Sequence, residues 1–283
     1  MKNIFIIIII FSTPLFSQKI NLYPSNPSRG EFFIVRISST NKTNDLYKLS
    51  IGNTSFPLLD KKNNSFSGYG AIPLFTSTTT VLVLKKNNIN VSSVTLIIPP
   101  KKEEIIKPVK VSTNFVKLPS EIFFKLEKEK DILKKVRDTF TTNRFFDGYP
   151  IFPVLDPILG SGFGERRLFN DEKDSIHFGQ DIVSKSLSVR TIFNGKVILT
   201  NEFYFAGKTV FIDHGFGLIS QYSHLNEIKV KIGDFVKKGD LIGEIGQTGR
   251  VTGPHLHWAF YINKLPVDPL TVFSNCKKFI KEE

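Results

Sequence analysis

Gly253-Pro254-His255-Leu256-His257-Trp258 decides how this chain is read. In a strand, successive side chains point to opposite faces, so His255 and His257 share one face while Leu256 and Trp258 take the other. Two imidazoles on one surface suit a metal and a proton-transfer group side by side. All five histidines fall between positions 177 and 257, and the first 176 residues hold none. The chemistry therefore belongs to the C-terminal half.

From about 145 to 273 the pattern is one of short strands punctuated by glycine, including 189–193, 196–200, 209–213, 218–222, 241–245 and 255–262. Little helical periodicity interrupts them, which argues for an all-β domain. Gly233 to Asp240 has the look of a hairpin. Ahead of this region the chain divides by composition. Met1-Lys2-Asn3 and the apolar run from Ile4 to Phe11 form a segment too short to span a bilayer comfortably. They fit a secretory signal peptide of residues 1–17, cleaved after Ser17, or a membrane tether if it stays uncleaved. Residues 18–98 read as short β-prone runs separated by Asn, Ser, Gly and Lys, a small β-sandwich of immunoglobulin-like type. Residues 99–144 are a linker. It opens on Pro99-Pro100-Lys101-Lys102 and carries an amphipathic helix from about 119 to 141, with Ser120 as N-cap and an apolar stripe of Ile122, Leu126, Leu133, Val136 and Phe140.

The fold expected is thus mainly β: a β-sandwich, a linker helix and an all-β domain over 145–283. The net charge of +12 is compatible with nucleic acid, an anionic membrane surface or an anionic polymer. The basic residues are scattered Lys and Lys-Lys pairs with no Arg-rich arm, so a solvated surface accounts for most of them and nucleic acid is not an expected partner. The single cysteine, Cys276, cannot form an intrachain disulfide and has no histidine near it in sequence, so it reads as an incidental thiol.

Three motifs carry the chemistry: His177-Phe178-Gly179-Gln180-Asp181, Tyr222-Ser223-His224-Leu225 and His255-Leu256-His257. Each is weak alone. In this order, with Ser161-Gly162-Phe163-Gly164-Glu165-Arg166 before them, Ile212-Asp213-His214-Gly215 between them and Thr248-Gly249 ahead of Thr252-Gly253-Pro254, they are specific. Over roughly 150–273 the chain resembles the LytM/lysostaphin-type zinc metallopeptidases, which cleave peptides in bacterial cell walls. The resemblance implies one Zn2+ per chain held by His177, Asp181 and His257, with His224 and His255 as catalytic histidines. His255 is favoured as the base because it adjoins His257. Two imidazoles and a carboxylate leave a fourth tetrahedral position open, as a catalytic site requires. Two features depart from the family pattern. Trp258-Ala259 stands where an acidic residue is common, which points to altered support of the site. A longer loop holding Arg166, Arg167, Asp171, Glu172 and Lys173 precedes His177 and is placed to shape the groove. His214 and Asp213 read as structural.

Other chemistries fit less well. The His-x-Asp/Glu spacing of non-haem iron triads is missing, as are His-Glu-x-x-His and a Gly-x-Ser-x-Gly elbow. The function implied is a zinc-dependent endopeptidase acting on peptidoglycan stem or cross-link peptides, first a DD-endopeptidase and alternatively a DD-carboxypeptidase, in the periplasm or cell envelope. The competing reading is a non-catalytic wall-binding regulator that activates a separate amidase. Placed ahead of a site able to damage the cell's own wall, the N-terminal module or the 119–141 helix is expected to restrict the groove.

Overall fold

The computed structural model describes residues 19–38, 46–61, 65–99, 106–146 and 148–281. The proposed signal segment 1–17 lies outside them. Among the described residues no helix is long and apolar enough to cross a membrane. The chain forms two compact units, 1–101 and 102–283.

In the first unit, strands β1 (Lys19–Tyr23), β2 (Phe32–Ser38), β3 (Tyr47–Ile51), β4 (Thr54–Lys61), β5 (Ser65–Ala71), β6 (Thr79–Lys86) and β7 (Ile89–Ile97) make one continuous antiparallel sheet. Its order is β1-β2-β5-β4-β3-β6-β7. Phe32, Phe33, Ile34 and Val35 are consecutive and all buried, so β2 is covered on both faces, as in a layered β module.

The second unit begins earlier than the sequence boundary at 145, because the linker is built into it. Strand β8 (Ile106–Val109) pairs in parallel with β10 (Arg166–Phe169), and β10 pairs antiparallel with β11 (Lys173–Ile176); the two-residue strand β9 (Ile158–Leu159) precedes them. Helix α1 (Ile122–Arg137) spans 16 residues, about four and a half turns instead of the six expected. Ser120 does not cap it; the Ile122 and Phe123 N–H groups donate to the Pro119 and Ser120 carbonyls. Its apolar stripe packs where the periodicity places it. Ile132, Leu133 and Val136 lie against Phe203, Phe211, Ile219, Ala259 and Tyr261. Glu129, on the same helix, accepts the Tyr204 N–H at 3.0 Å, and burial raises its carboxyl above the ordinary value.

The large sheet follows from glycine-punctuated strands: β12 (Gln180–Val183), β13 (Ser188–Arg190), β14 (Gly195–Phe203), β15 (Gly207–Asp213), β16 (Leu218–Ile228), β17 (Phe235–Val236), β18 (Leu241–Ile245), β19 (Leu256–Ile262) and β20 (Leu265–Val267). Its main order is β17-β14-β15-β16-β19-β12-β9. The expected hairpin at 233–240 is not one, since β17 pairs with β14 and β18 with β13 and β16. Helix α2 (Pro269–Lys281), absent from the all-β expectation, follows the last strand. Cys276 is buried on it, and burial pushes its thiol up to about 12, which leaves it an inert core residue.

Trp258 is fully buried and packs between Phe152 and Phe260, with ring centroids 6.2 and 5.8 Å away. It is a core residue on the face away from His257, not a substitute for an acidic group beside the site. Losing such a side chain costs about 3–5 kcal/mol, so Trp258 fixes the strand that carries His257.

His214 is likewise structural. It is fully enclosed, with Nδ1 donating to the Asn194 carbonyl at 2.8 Å and Nε2 2.7 Å from Ser220 Oγ. Burial pulls it down to about 4 from 6.5. The unfolded chain therefore takes up a proton that the folded protein refuses. The contribution is complete above pH 6.5 and is lost as pH falls toward 4, on the order of 3 kcal/mol in all. Replacing His214 with Asn should flatten that part of the stability profile. Urea unfolding across this pH range measures it, and an unchanged slope would contradict the assignment.

Candidate metal centre

Two strand pairings bring the predicted residues together. β12 pairs antiparallel with β19, in a register that sets Asp181 directly opposite His257. On the other side of β19, Ser223 of β16 stands opposite His257. The next residue, His224, has φ +62 and lies where the register with β15 slips between Lys208 and Val210. A β-bulge with a left-handed residue re-aims a side chain. Here it brings the His224 ring to 4.9 Å from His255 and 5.9 Å from His257. His177 arrives from the turn ahead of β12, its ring 4.8 Å from that of His257.

The ligand atoms form a tight triangle. His177 Nε2 lies 2.9 Å from His257 Nδ1 and 3.0 Å from Asp181 Oδ1, and His257 Nδ1 lies 3.1 Å from the same oxygen. Tetrahedral metal bonds of about 2.0–2.1 Å place ligand atoms about 3.3 Å apart. The triangle is therefore of the right size for one small divalent cation. Its chemistry agrees. His177 Nδ1 donates to the Gly162 carbonyl at 2.8 Å, which turns the Nε2 lone pair inward. Burial lowers His257 to about 4, leaving it neutral at ordinary pH. Burial alone would raise Asp181, but its contacts with His177 and His257 override this and hold it well below the usual carboxylate range. Two imidazole nitrogens and an anionic oxygen converging on one point suit a cation.

The other two imidazoles face the same point without joining the triangle. His224 Nδ1 donates to the Thr248 carbonyl at 2.8 Å and His255 Nδ1 to the Gly253 carbonyl at 2.9 Å, so each presents Nε2 to the site. His255 Nε2 lies 3.6 Å from Asp181 Oδ1. Burial, then the charges of His257 and His255, lowers His224 to about 3.

Three groups named in the sequence reading without a role at the metal site prove to support it. Arg167, noted there only as shaping a groove, donates through Nη2 to Asp181 Oδ2 at 2.6 Å, leaving Oδ1 to the ligand triangle. Thr248 orients His224 through its carbonyl and fastens the loop by accepting the Lys208 N–H. Gly179 is needed because a Cβ there would sit 2.6 Å from His257 Cε1 and 2.7 Å from the Trp258 carbonyl. The His-x-Gly-x-Asp spacing signalled Gly179. Arg167 gave no signal, because only the β10 fold brings it to Asp181.

A cleft of about 320 Å³ opens beside the site, at the small end of ligand cavities. Asp181, His224 and His255 line it on one side, and Lys107 to Val111 on another. Helix α1 does not line it.

Fold and site together give a His-Asp-His triangle on a β-sheet that fits a metal, with two further imidazoles beside it. Residues 175–269, within the second unit, match the model of Peptidase family M23. A crystal structure of a peptidase M23 from Pseudomonas aeruginosa superposes with a TM-score of 0.68 at 26% identity, covering 88% of this chain and 96% of that one. Peptidoglycan DD-endopeptidase ShyA of Vibrio cholerae is 37% identical over 129 residues, 45% of this chain and 30% of the relative. DD-carboxypeptidase/endopeptidase Mpg of Neisseria meningitidis is 33% identical over 126 residues, 44% of this chain and 29% of the relative. The chain spans under half the length of these curated relatives.

Substituting Gly179 with Ala should push the His257 ring off the triangle and weaken metal binding by roughly 10- to 100-fold, the scale of lost ligand support. Competition with a chromophoric chelator reads the affinity. An unchanged affinity in folded protein would refute the steric argument.

Proposed function

We propose that this protein is a zinc-dependent endopeptidase that hydrolyses peptide bonds in peptidoglycan stem or cross-link peptides, with one zinc per chain and an exported location in the periplasm or cell envelope. The observation that carries the reading is the ligand triangle of His177, Asp181 and His257 with His224 and His255 beside it as non-ligands. Zinc held there supplies Lewis acidity, acidifying a water molecule and polarising the scissile carbonyl.

The chain's own groups supply the rest. His255, with its Nδ1 proton engaged at Gly253, accepts the water's proton at Nε2 and returns it to the departing amine. His224, held by Thr248, stands beside His255 on the same side of the site and presents Nε2 to it. Arg167 fixes which Asp181 oxygen points to the metal. Relatives named for DD-endopeptidase and DD-carboxypeptidase activities support a bond to a D-alanyl residue, with the endopeptidase action put first. The complete ligand set weighs against the non-catalytic regulator, which would need no such triangle. Export rests on the character of residues 1–17.

With purified peptidoglycan, zinc-loaded protein should release new peptide termini. Chelation or His257→Ala should abolish the release, and His255→Ala should retain zinc while lowering kcat by roughly 10²- to 10⁴-fold. Mass analysis of defined muropeptides identifies the bond, and identical product profiles for the wild type and His257→Ala would end the enzyme reading.

We propose further that the cleft is narrowed by residues ahead of the catalytic strands, for which the segment Lys107 to Val111 on its wall is the support. Restriction by the N-terminal module predicts that residues 102–283 act faster than 18–283. Restriction by the linker predicts that 145–283 act faster still, and equal rates in all three folded forms would remove the idea.

A further inference from the structure

Arg250 lines the cleft with Asp181, His224 and His255, yet the metal site does not use it. Its guanidinium carbon lies 3.9 Å from the centroid of the Phe169 ring and 4.6 Å from that of Phe205. Its backbone N–H donates to the Phe205 carbonyl at 2.8 Å. The segment before it is pressed against the 205–207 turn so closely that a Cβ at Gly249 would sit 2.5 Å from the Gly207 nitrogen and the Phe205 carbonyl. The arginine is therefore held in place.

The other cations of the cleft are occupied. Arg167 binds Asp181 and Glu165, Lys110 binds Asp171, and Lys107 reaches Ser161 Oγ at 2.9 Å. Arg250, among the described residues, has no carboxylate within ion-pair distance and no acceptor for its guanidinium N–H groups. Such a cation, half-buried, is costly unless something completes it. Stacking on rings is worth about 0.5–2 kcal/mol and satisfies only the faces of the guanidinium. The N–H edge, which matches a carboxylate two-pronged, remains open. Burial, then the charge of Arg167, draws the group down to about 10, so it stays protonated at neutral pH while wanting an anion.

We infer that Arg250 is a substrate-binding subsite for a carboxylate of the peptide, beside the metal. This rests on the peptidase reading above, because a peptide's own anions are its C-terminal and side-chain carboxylates. Either could be the ligand, and both would be gripped by the same planar fork. Lys cannot reproduce that grip.

The test uses zinc-loaded full-length protein and one synthetic D-alanyl cross-linked peptide in three forms: free acid, C-terminal amide and side-chain amide. A reduced-amide analogue of each form reports binding by calorimetry without cleavage. The wild type should prefer the free acid by roughly tenfold or more, the worth of a charge-assisted hydrogen bond, mainly through KM. The amide that loses the preference identifies the carboxylate. Arg250→Gln should lower kcat/KM on the acid by roughly tenfold more than on that amide, and Arg250→Lys should restore only part of it. Equal handling of acid and amides by the wild type, a ratio that needs no variant, would overturn the subsite while leaving the peptidase reading intact. Acid-selective binding that depends on Arg250, without cleavage of any form, would sink the peptidase reading and keep the subsite.

Discussion

The register between β12 and β19 is the constraint on which the site depends. Asp181 stands opposite His257, and Gln180 opposite Trp258. A slip of one residue would turn every side chain of β19 to the wrong face. What prevents the slip is the apolar face, on which Leu256, Trp258 and Phe260 are all buried to completion. Each large side chain expelled from the core would cost about 3–5 kcal/mol, far more than a single imidazole gains from any neighbour. The hydrophobic face thus sets the geometry of the polar one.

The same economy holds around the metal ligands. His177, His224 and His255 each spend Nδ1 on the carbonyl of a glycine or threonine in a turn, Gly162, Thr248 and Gly253. Their tautomers are therefore dictated by backbone, and all three present Nε2 to the centre. His257 differs. It lies on the strand itself and offers Nδ1, and Gly179 gives its ring the room to do so. Arg167 completes the arrangement by occupying the carboxylate oxygen that the triangle leaves out. Precision comes from turns whose carbonyls are fixed by the sheet, not from the histidines alone.

The histidines were legible in the sequence because their chemistry is rare and their order specific, and the mainly β architecture was legible because glycines punctuate short apolar runs. The parts that were not legible depend on contacts distant in sequence. Trp258-Ala259 read as the loss of an acidic group, and the strand shows both residues buried, Trp258 between Phe152 and Phe260 and Ala259 in the cluster under helix α1. The linker looked like a tether, although β8 finds a partner in β10, 60 residues on (Arg166↔Ile106). Helix α1 ends at Arg137 because its stripe stops finding the sheet beyond Val136, so Phe140, expected on the same stripe, packs on Phe216 instead. Arg167, on β10, and Arg250, in the loop ahead of β19, are read from the sequence only as basic residues, because their partners are distant along the chain.

Seating the ligands on sheet strands has a consequence for what the metal does. In small zinc domains the metal supplies the folding energy, because no core exists without it. Here Ile182, Val210, Phe211, Tyr222, Leu256, Trp258 and Phe260 are buried around the strands that carry the triangle, so these strands have an apolar core of their own. Apolar burial on these strands thus helps to offset the cost of gathering two imidazoles and a carboxylate. Metal binding adds stability only by mass action, as any ligand of the folded state does. A site that has no structural duty is free to leave a coordination position open, as catalytic metal sites in general do.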